Sequence, residues 1–359
     1  MSCPLLLMLV KPVSVLFTLL LALAGAWLCL WLGTPLPWMI GPLLASACAS
    51  VAGAPTASWR PLGSVGQWVI GAALGLYFTP QVTALVASLW WAIVLAIAWA
   101  LLLGLGFGAW LYRVNAPYMA RVPAPAMRAT SYFAGAIGGA SEMTLLAERA
   151  HARTDLVAAS HSLRLLLVTV TIPFAMQWSG LQGLDLNPPV PRAVDSAGFA
   201  ALALATAAGA WLLDRVGRTN PWFMGPLLVA MGLTMAGVHL SGIPVWLVNT
   251  AQLLIAVGLG VRFSSSFLQA APRWMTSVAL GTVGMLVLCS GFAALLASAT
   301  GLPLATLVLG TSPGGIAEMA ITAKVLQLGV PVVTAFQVCR LVAVLLLVAP
   351  LYRVMYASD

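Results

Sequence analysis

Two carboxylates and two guanidinium groups interrupt otherwise apolar sequence at matched positions. Glu142 ends the run Ala136-Ile137-Gly138-Gly139-Ala140-Ser141-Glu142-Met143, and Glu318 ends Ser312-Pro313-Gly314-Gly315-Ile316-Ala317-Glu318-Met319, so both copies read Gly-Gly-x-x-Glu-Met. Arg164 and Arg340 each follow their glutamate by 22 residues. Ionisable groups at membrane depth are costly, face the protein interior and mark ion or substrate paths. A carboxylate there can take up H+ or Na+, and a guanidinium can bind a carboxylate or phosphate.

The glycine pairs supply helix breaks. A half-helix starting near Ser141 or Ala317 has first amides without intrahelical partners and carries the positive end of its dipole, which suits an anion. Gly138, Gly139, Ser141, Glu142 and Arg164, with Ser312, Gly314, Gly315, Glu318 and Arg340, are therefore the candidate substrate- and ion-binding residues. Two readings stay open for the glutamates: each caps its own helix, or each is a coupling site. Two also stay open for the arginines, which lie roughly 12–15 Å into their helices: fixed ion pairs with Glu142 and Glu318, or anion binding. Gln67 and Gln252, polar in short glycine-bearing spans, are cavity-lining candidates or interhelical hydrogen-bond donors.

The elements that must hold these residues are apolar. Of the 359 residues, 62% are hydrophobic and 7% charged, against roughly a quarter charged in soluble domains, and mean hydropathy is +1.03. This is an all-α polytopic membrane protein. The formal net charge of +8 comes from basic residues scattered singly between apolar runs, which fits loop anchors better than a nucleic-acid-binding face. Five cysteines form no CxxC or Cys/His cluster, and His151, His161 and His239 are dispersed, so neither a metal nor a cofactor is expected. The apolar start, with only Lys11 behind it, lacks the basic flank of a secretory signal.

Residues 1–12 form an N-terminal segment. Spans follow at 13–32, 35–54, 64–78, 84–112 and 155–178, with a Gly-Gly element at 124–152. After a linker at 179–192, spans recur at 193–213, 221–240, 248–263, 274–299 and 330–352, with the second element at 303–328. Residues repeat too. Pro37-Trp38-Met39-Ile40-Gly41-Pro42 matches Pro221-Trp222-Phe223-Met224-Gly225-Pro226, and Gln67, Gly75 and Phe78 match Gln252, Gly260 and Phe263. The chain is a duplication, repeat 1 over 13–178 and repeat 2 over 193–356. His161 stands where the second copy has Gln337, and Ile137 where it has Pro313. The Pro-Trp-x-x-Gly-Pro repeats read as packing and kinking devices.

The positive-inside rule sets the topology. If each Gly-Gly element is a re-entrant hairpin, Lys11, Arg60, Arg113, Arg121, Arg128, Arg149, Arg153, Arg215, Arg218, Arg262, Arg273 and Arg353 fall inside, against Arg192 and Lys324 outside. If each element crosses fully, the bias disappears. Five crossings per half is odd, so the repeats are inverted: about ten spans and two hairpins entering from opposite faces, with a cytoplasmic N-terminus.

These duplicated halves, with Pro-Trp-x-x-Gly-Pro and Gly-Gly-x-x-Glu-Met, resemble the bacterial AbrB-type membrane protein family over nearly the whole chain. The resemblance implies an inner-membrane protein distantly similar to transporters with inverted repeats. Labels attached to that family include ammonia monooxygenase and regulator of gene expression. Three scattered histidines supply no copper or iron site for an oxygenase, and no loop is long enough for a DNA-binding module. The expectation is no enzyme. It is an ion-coupled secondary transporter, an exporter or exchanger of a small organic or anionic solute, in the bacterial inner membrane. The alternative is a membrane-embedded ligand sensor acting indirectly on gene expression. The partners expected are the lipid bilayer, a small solute with H+ or Na+, a homodimer through a scaffold face, and no nucleic acid.

Overall fold

The structure is a computed structural model, and it describes residues 4–119, 122–181, 183, 193–217, 220–263 and 271–356, with side chains from residue 12 onward. The linker expected at 179–192, apart from 179–181 and 183, and the topology markers Arg121, Arg192 and Arg218 lie outside the described residues. So does the side chain of Lys11.

Fifteen α-helices make up the described chain: α1 (Pro4–Trp31), α2 (Pro37–Val51), α3 (Arg60–Gly75), α4 (Pro80–Ser88), α5 (Trp90–Asn115), α6 (Ala124–Gly135), α7 (Ala140–Arg149), α8 (Thr154–Ser179), α9 (Ser196–Arg215), α10 (Pro221–Met235), α11 (Val245–Gly260), α12 (Pro272–Thr300), α13 (Leu304–Thr311), α14 (Ile316–Val325) and α15 (Val330–Tyr356). Proline marks many starts. Pro37, Pro221 and Pro272 open their helices, where the missing N–H would have had no partner. Gly180 and Gly301, at φ 61° and 71°, close α8 and α12 in the left-handed conformation.

Among the described residues six helices are long and apolar enough to cross a membrane, seven if the bent pair α3–α4 counts as one. The chain is thus a multi-pass membrane protein, and the expected set of ten spans includes helices shorter than a full crossing. α2, α10 and α11 have 15, 15 and 16 residues, about 22–24 Å of helix against a hydrocarbon core of about 30 Å. Three boundaries differ from expectation. The helix beginning the chain runs through Pro12 from Pro4. The expected span 84–112 is broken at Leu89, with α4 bent 89° from α3. α10 stops at Met235, and Gly237 beyond it has φ 74°.

The helices gather into two compact units, each drawing on both repeats. One holds α1–α3 and α9–α11, and the other α5, α6, α7, most of α8 and α12–α15. In the first unit the same packing is made twice. A Cβ on Gly41 would lie 2.3 Å from the Gly25 carbonyl oxygen of α1, and one on Gly225 2.5 Å from the Ala210 nitrogen of α9. Backbones this close tolerate only glycine, so the Gly of Pro-Trp-x-x-Gly-Pro is a helix-packing residue. Partners are exchanged as well. Gly75 of α3 abuts Leu227 and Ala230 of α10, while Gly260 of α11 abuts Leu43 and Ser46 of α2. α3 and α11 cross where Gly66 meets the Ala251 carbonyl, beside Gln67 and Gln252. Each glutamine is the eighth residue of its helix.

Candidate functional site

Both Gly-Gly elements lie in the second unit, on broken helix pairs with one backbone pattern. α6 ends at Gly135 and Ala136 turns extended (φ −56°, ψ 138°); α13 ends at Thr311 and Ser312 does the same (φ −59°, ψ 144°). Gly139 and Gly315 then N-cap α7 and α14 in extended conformation. The four glycines lie in the helix breaks, as expected, but none has a positive φ, so they are not there to permit a left-handed turn.

They are there for space. A Cβ on Gly139 would sit 2.0 Å from a carboxylate oxygen of Glu142, and one on Gly315 1.9 Å from that of Glu318. The Cβ positions of Gly138 and Gly314 are likewise claimed by the buried Met143 and Met319 side chains, 2.8 and 2.9 Å away. Each glutamate, third in its helix, folds back over its own N-cap and places negative charge on the positive dipole end. The motif thus fits together as first glycine with methionine and second glycine with glutamate.

The arginines serve the opposite ends. Each is the eleventh residue of its helix, about 15 Å along it, and only 3% and 5% exposed. Arg164 Nη2 donates to the Ala136 carbonyl (3.0 Å) and Nη1, at 3.4–3.5 Å, towards those of Ala134 and Gly135. Arg340 donates from Nη1 to the Ser312 carbonyl and from Nη2 to that of Gly314 (2.8 Å). Among the described residues neither arginine pairs with a glutamate, so the expected Glu142–Arg164 and Glu318–Arg340 ion pairs are not formed. The guanidinium groups instead satisfy the orphan carbonyls at the negative ends of α6 and α13.

Two residues missed as site candidates complete the pattern. His161 Nε2 bonds the Phe133 carbonyl (2.9 Å), and Gln337 Nε2 donates to the equivalent Leu309 carbonyl (2.6 Å). Both stand three residues before the arginine, on its face of the helix. His161 Nδ1 also lies 2.7 Å from Arg164 Nη2. A carbonyl only accepts and a guanidinium only donates, which assigns the neutral Nε2–H tautomer.

The bonds also give direction. Arg153 N meets Thr130 Oγ1, His161 meets Phe133 and Arg164 meets Ala136, so α8 rises alongside α6 and α7 brings the chain back between them. Gln337 with Leu309 and Arg340 with Gly314 repeat this for α15, α13 and α14. Of the remaining candidates, Ser141 is exposed, and the Ser312 hydroxyl donates to Val308 of its own helix. Gln67 and Gln252 belong to the other unit.

A sequence model described as "Transition state regulatory protein AbrB" matches residues 38–356. The chain belongs to the AbrB family. Within similar proteins, a Bacillus subtilis protein, "Uncharacterized protein YhjN", is 24% identical over 93% of this chain and 91% of its own length. An Escherichia coli protein whose name calls it a regulator, AbrB, is 25% identical over 87% and 88%. The AbrB resemblance of the duplicated motifs is thereby established over most of the chain.

Proposed function

We propose that this AbrB-family protein is an ion-coupled secondary transporter of a small anionic solute. It would sit in the bacterial inner membrane with a cytoplasmic N-terminus, as inverted repeats whose pairs α6–α7 and α13–α14 dip in from opposite faces. The return of α7 between α6 and α8 supports a hairpin, and the positive-inside count supports the orientation. Irregular backbone at membrane depth is tolerated where it is enclosed by protein or lines a cavity, and the buried second break fits that requirement.

The observation that carries the reading is the separation of charges at each break. One guanidinium faces a half-helix C-terminus and one carboxylate faces the next N-terminus. With about half a charge at each helix end, the four contributions sum to about zero. Protonating the glutamate leaves the break about one unit positive, and a bound monovalent anion restores neutrality. A proton and an anion therefore bind together at less electrostatic cost than either alone.

The test is uptake of radiolabelled lactate, a small carboxylate probe, into proteoliposomes under an imposed pH gradient. Uptake that follows the gradient, and loses its pH dependence in Glu142→Gln or Glu318→Gln, is the expected result; uptake indifferent to the gradient overturns the reading. The regulator name of the Escherichia coli relative favours a second reading, a ligand sensor. That reading requires ligand-induced stabilisation without flux.

A further inference from the structure

The two breaks do not have equal capacity for a ligand. Of the five N–H groups on a guanidinium, Arg340 uses two, one each to Ser312 and Gly314, leaving three. Arg164 commits both Nη2 hydrogens, to Ala136 and His161, and directs Nη1 towards Ala134 and Gly135. Its equivalent at the second break has also moved along the chain. Gly314 corresponds to Gly138, two residues beyond the last carbonyl that Arg164 reaches, so Arg340 straddles the break while Arg164 is held on the end of α6.

The residue three positions earlier differs with it. His161 offers Nδ1 to Arg164 and holds it back. Gln337 spends its amide hydrogens on Leu309 (2.6 Å) and Ser312 (3.2 Å) and leaves its carbonyl oxygen buried without a partner. The amide assignment is fixed, because both neighbours only accept. Gln337 is 0% exposed and Arg340 5%, and both side chains converge on the Ser312 carbonyl. The Nε of Arg340 is buried without a partner, as is that of Arg164, so the difference between the breaks lies in the Nη groups and in the oxygen of Gln337. Hence an acceptor and a charged donor lie unmatched within one turn of α15, a combination that interior packing rarely leaves open.

We propose that the second break is the preferred solute site, the ligand being a small oxyanion that carries its own hydrogen-bond donor. The oxyanion takes the free N–H groups of Arg340, and its donor satisfies the oxygen of Gln337. A hydroxycarboxylate has this chemistry; a plain carboxylate of the same size does not. A site that hydrogen-bonds a hydroxyl discriminates strongly against the analogue without it, because its polar group is then left unpaired. This inference rests on the anion reading above but concerns binding, so it survives or fails independently of flux.

The experiment is thermal unfolding of the purified full-length protein in detergent, with lactate or propionate at equal ionic strength. The expected result is a lactate shift at least twice the propionate shift, reduced to the propionate level in Gln337→His, which installs the first break's arrangement. His161→Gln opens the first break and enlarges the lactate shift. If Gln337→His does not fold, Arg340→Lys carries the test: it keeps the charge, lacks Nε–H and also loses the lactate preference. Equal shifts for the two anions, no shift with either, or a lactate preference intact in Gln337→His and Arg340→Lys overturns the proposal.

Discussion

The two broken helix pairs share a backbone and differ in how tightly their arginine is tied. At the first, His161 and the carbonyls from Ala134 to Ala136 engage Arg164, and α7 beyond the break exposes Ser141, Leu145, Glu148 and Arg149. At the second, Arg340 spans the break and α14 is buried from Met319 to Ala323. The matched breaks share a geometry, yet where His161 is replaced by Gln337 the guanidinium also reaches two residues further along the chain, to Gly314. Sites related by a repeat can therefore share a scaffold and differ in what they leave free to bind.

The largest effects should come from removing the arginines. Arg164→Leu and Arg340→Leu strand two or three helix-end carbonyls each, and an unsatisfied buried acceptor costs about 1–3 kcal/mol. Losses of about 3–5 kcal/mol in thermal unfolding are expected, larger for Arg164 because His161 also loses its partner. Equal losses would mean that the different partner sets carry no energetic difference. Next is the contact between α5 and α6. A Cβ on Gly135 would lie 2.5 Å from the backbone nitrogen of Gly108, so Gly135→Ala must separate two backbones and should cost about 1–3 kcal/mol. Its equivalent, Thr311, bonds the Leu307 carbonyl within its own helix, and Thr311→Ala should cost far less. The same unfolding series reads both.

The smallest stability effects belong to the glutamates. Glu142→Gln and Glu318→Gln remove a dipole interaction of about 0.3–1 kcal/mol, and Gly139→Ala and Gly315→Ala should cost a similar amount by displacing the carboxylate. Because the two residues act as one device, Gly139→Ala/Glu142→Gln should cost less than the two singles added, as a double-mutant cycle measures. Additive losses would separate the glycine from the glutamate.

Much of this was legible in the residues. Matching Gly-Gly-x-x-Glu-Met and Pro-Trp-x-x-Gly-Pro copies gave the duplication, and the helix breaks fell within a residue or two of Ala136 and Ser312. The glycines were legible as helix breakers, but not the close approach of the Glu and Met side chains to them, which only three-dimensional packing reveals. The ion pairs failed because sequence spacing registers opposite charges but not the half-helix carbonyls that compete for a guanidinium. His161 and Gln337 carried a signal, three residues before each arginine and matched between halves, that dissimilar residue types concealed. The break at Leu89 had none, since the chain is apolar on both sides of it. Nor did any sequence feature announce that each compact unit would mix helices from both repeats.

The central claim is that each break is electrically balanced until its glutamate takes a proton, so that anion and proton move together. The direct measurement is simultaneous entry of radiolabelled lactate and protons into proteoliposomes loaded with the pH dye pyranine. The account predicts about one proton per lactate, set by the charge balance at each break, with coupling lost in Glu318→Gln. Lactate entering without protons, or proton entry unchanged in Glu318→Gln, would contradict it.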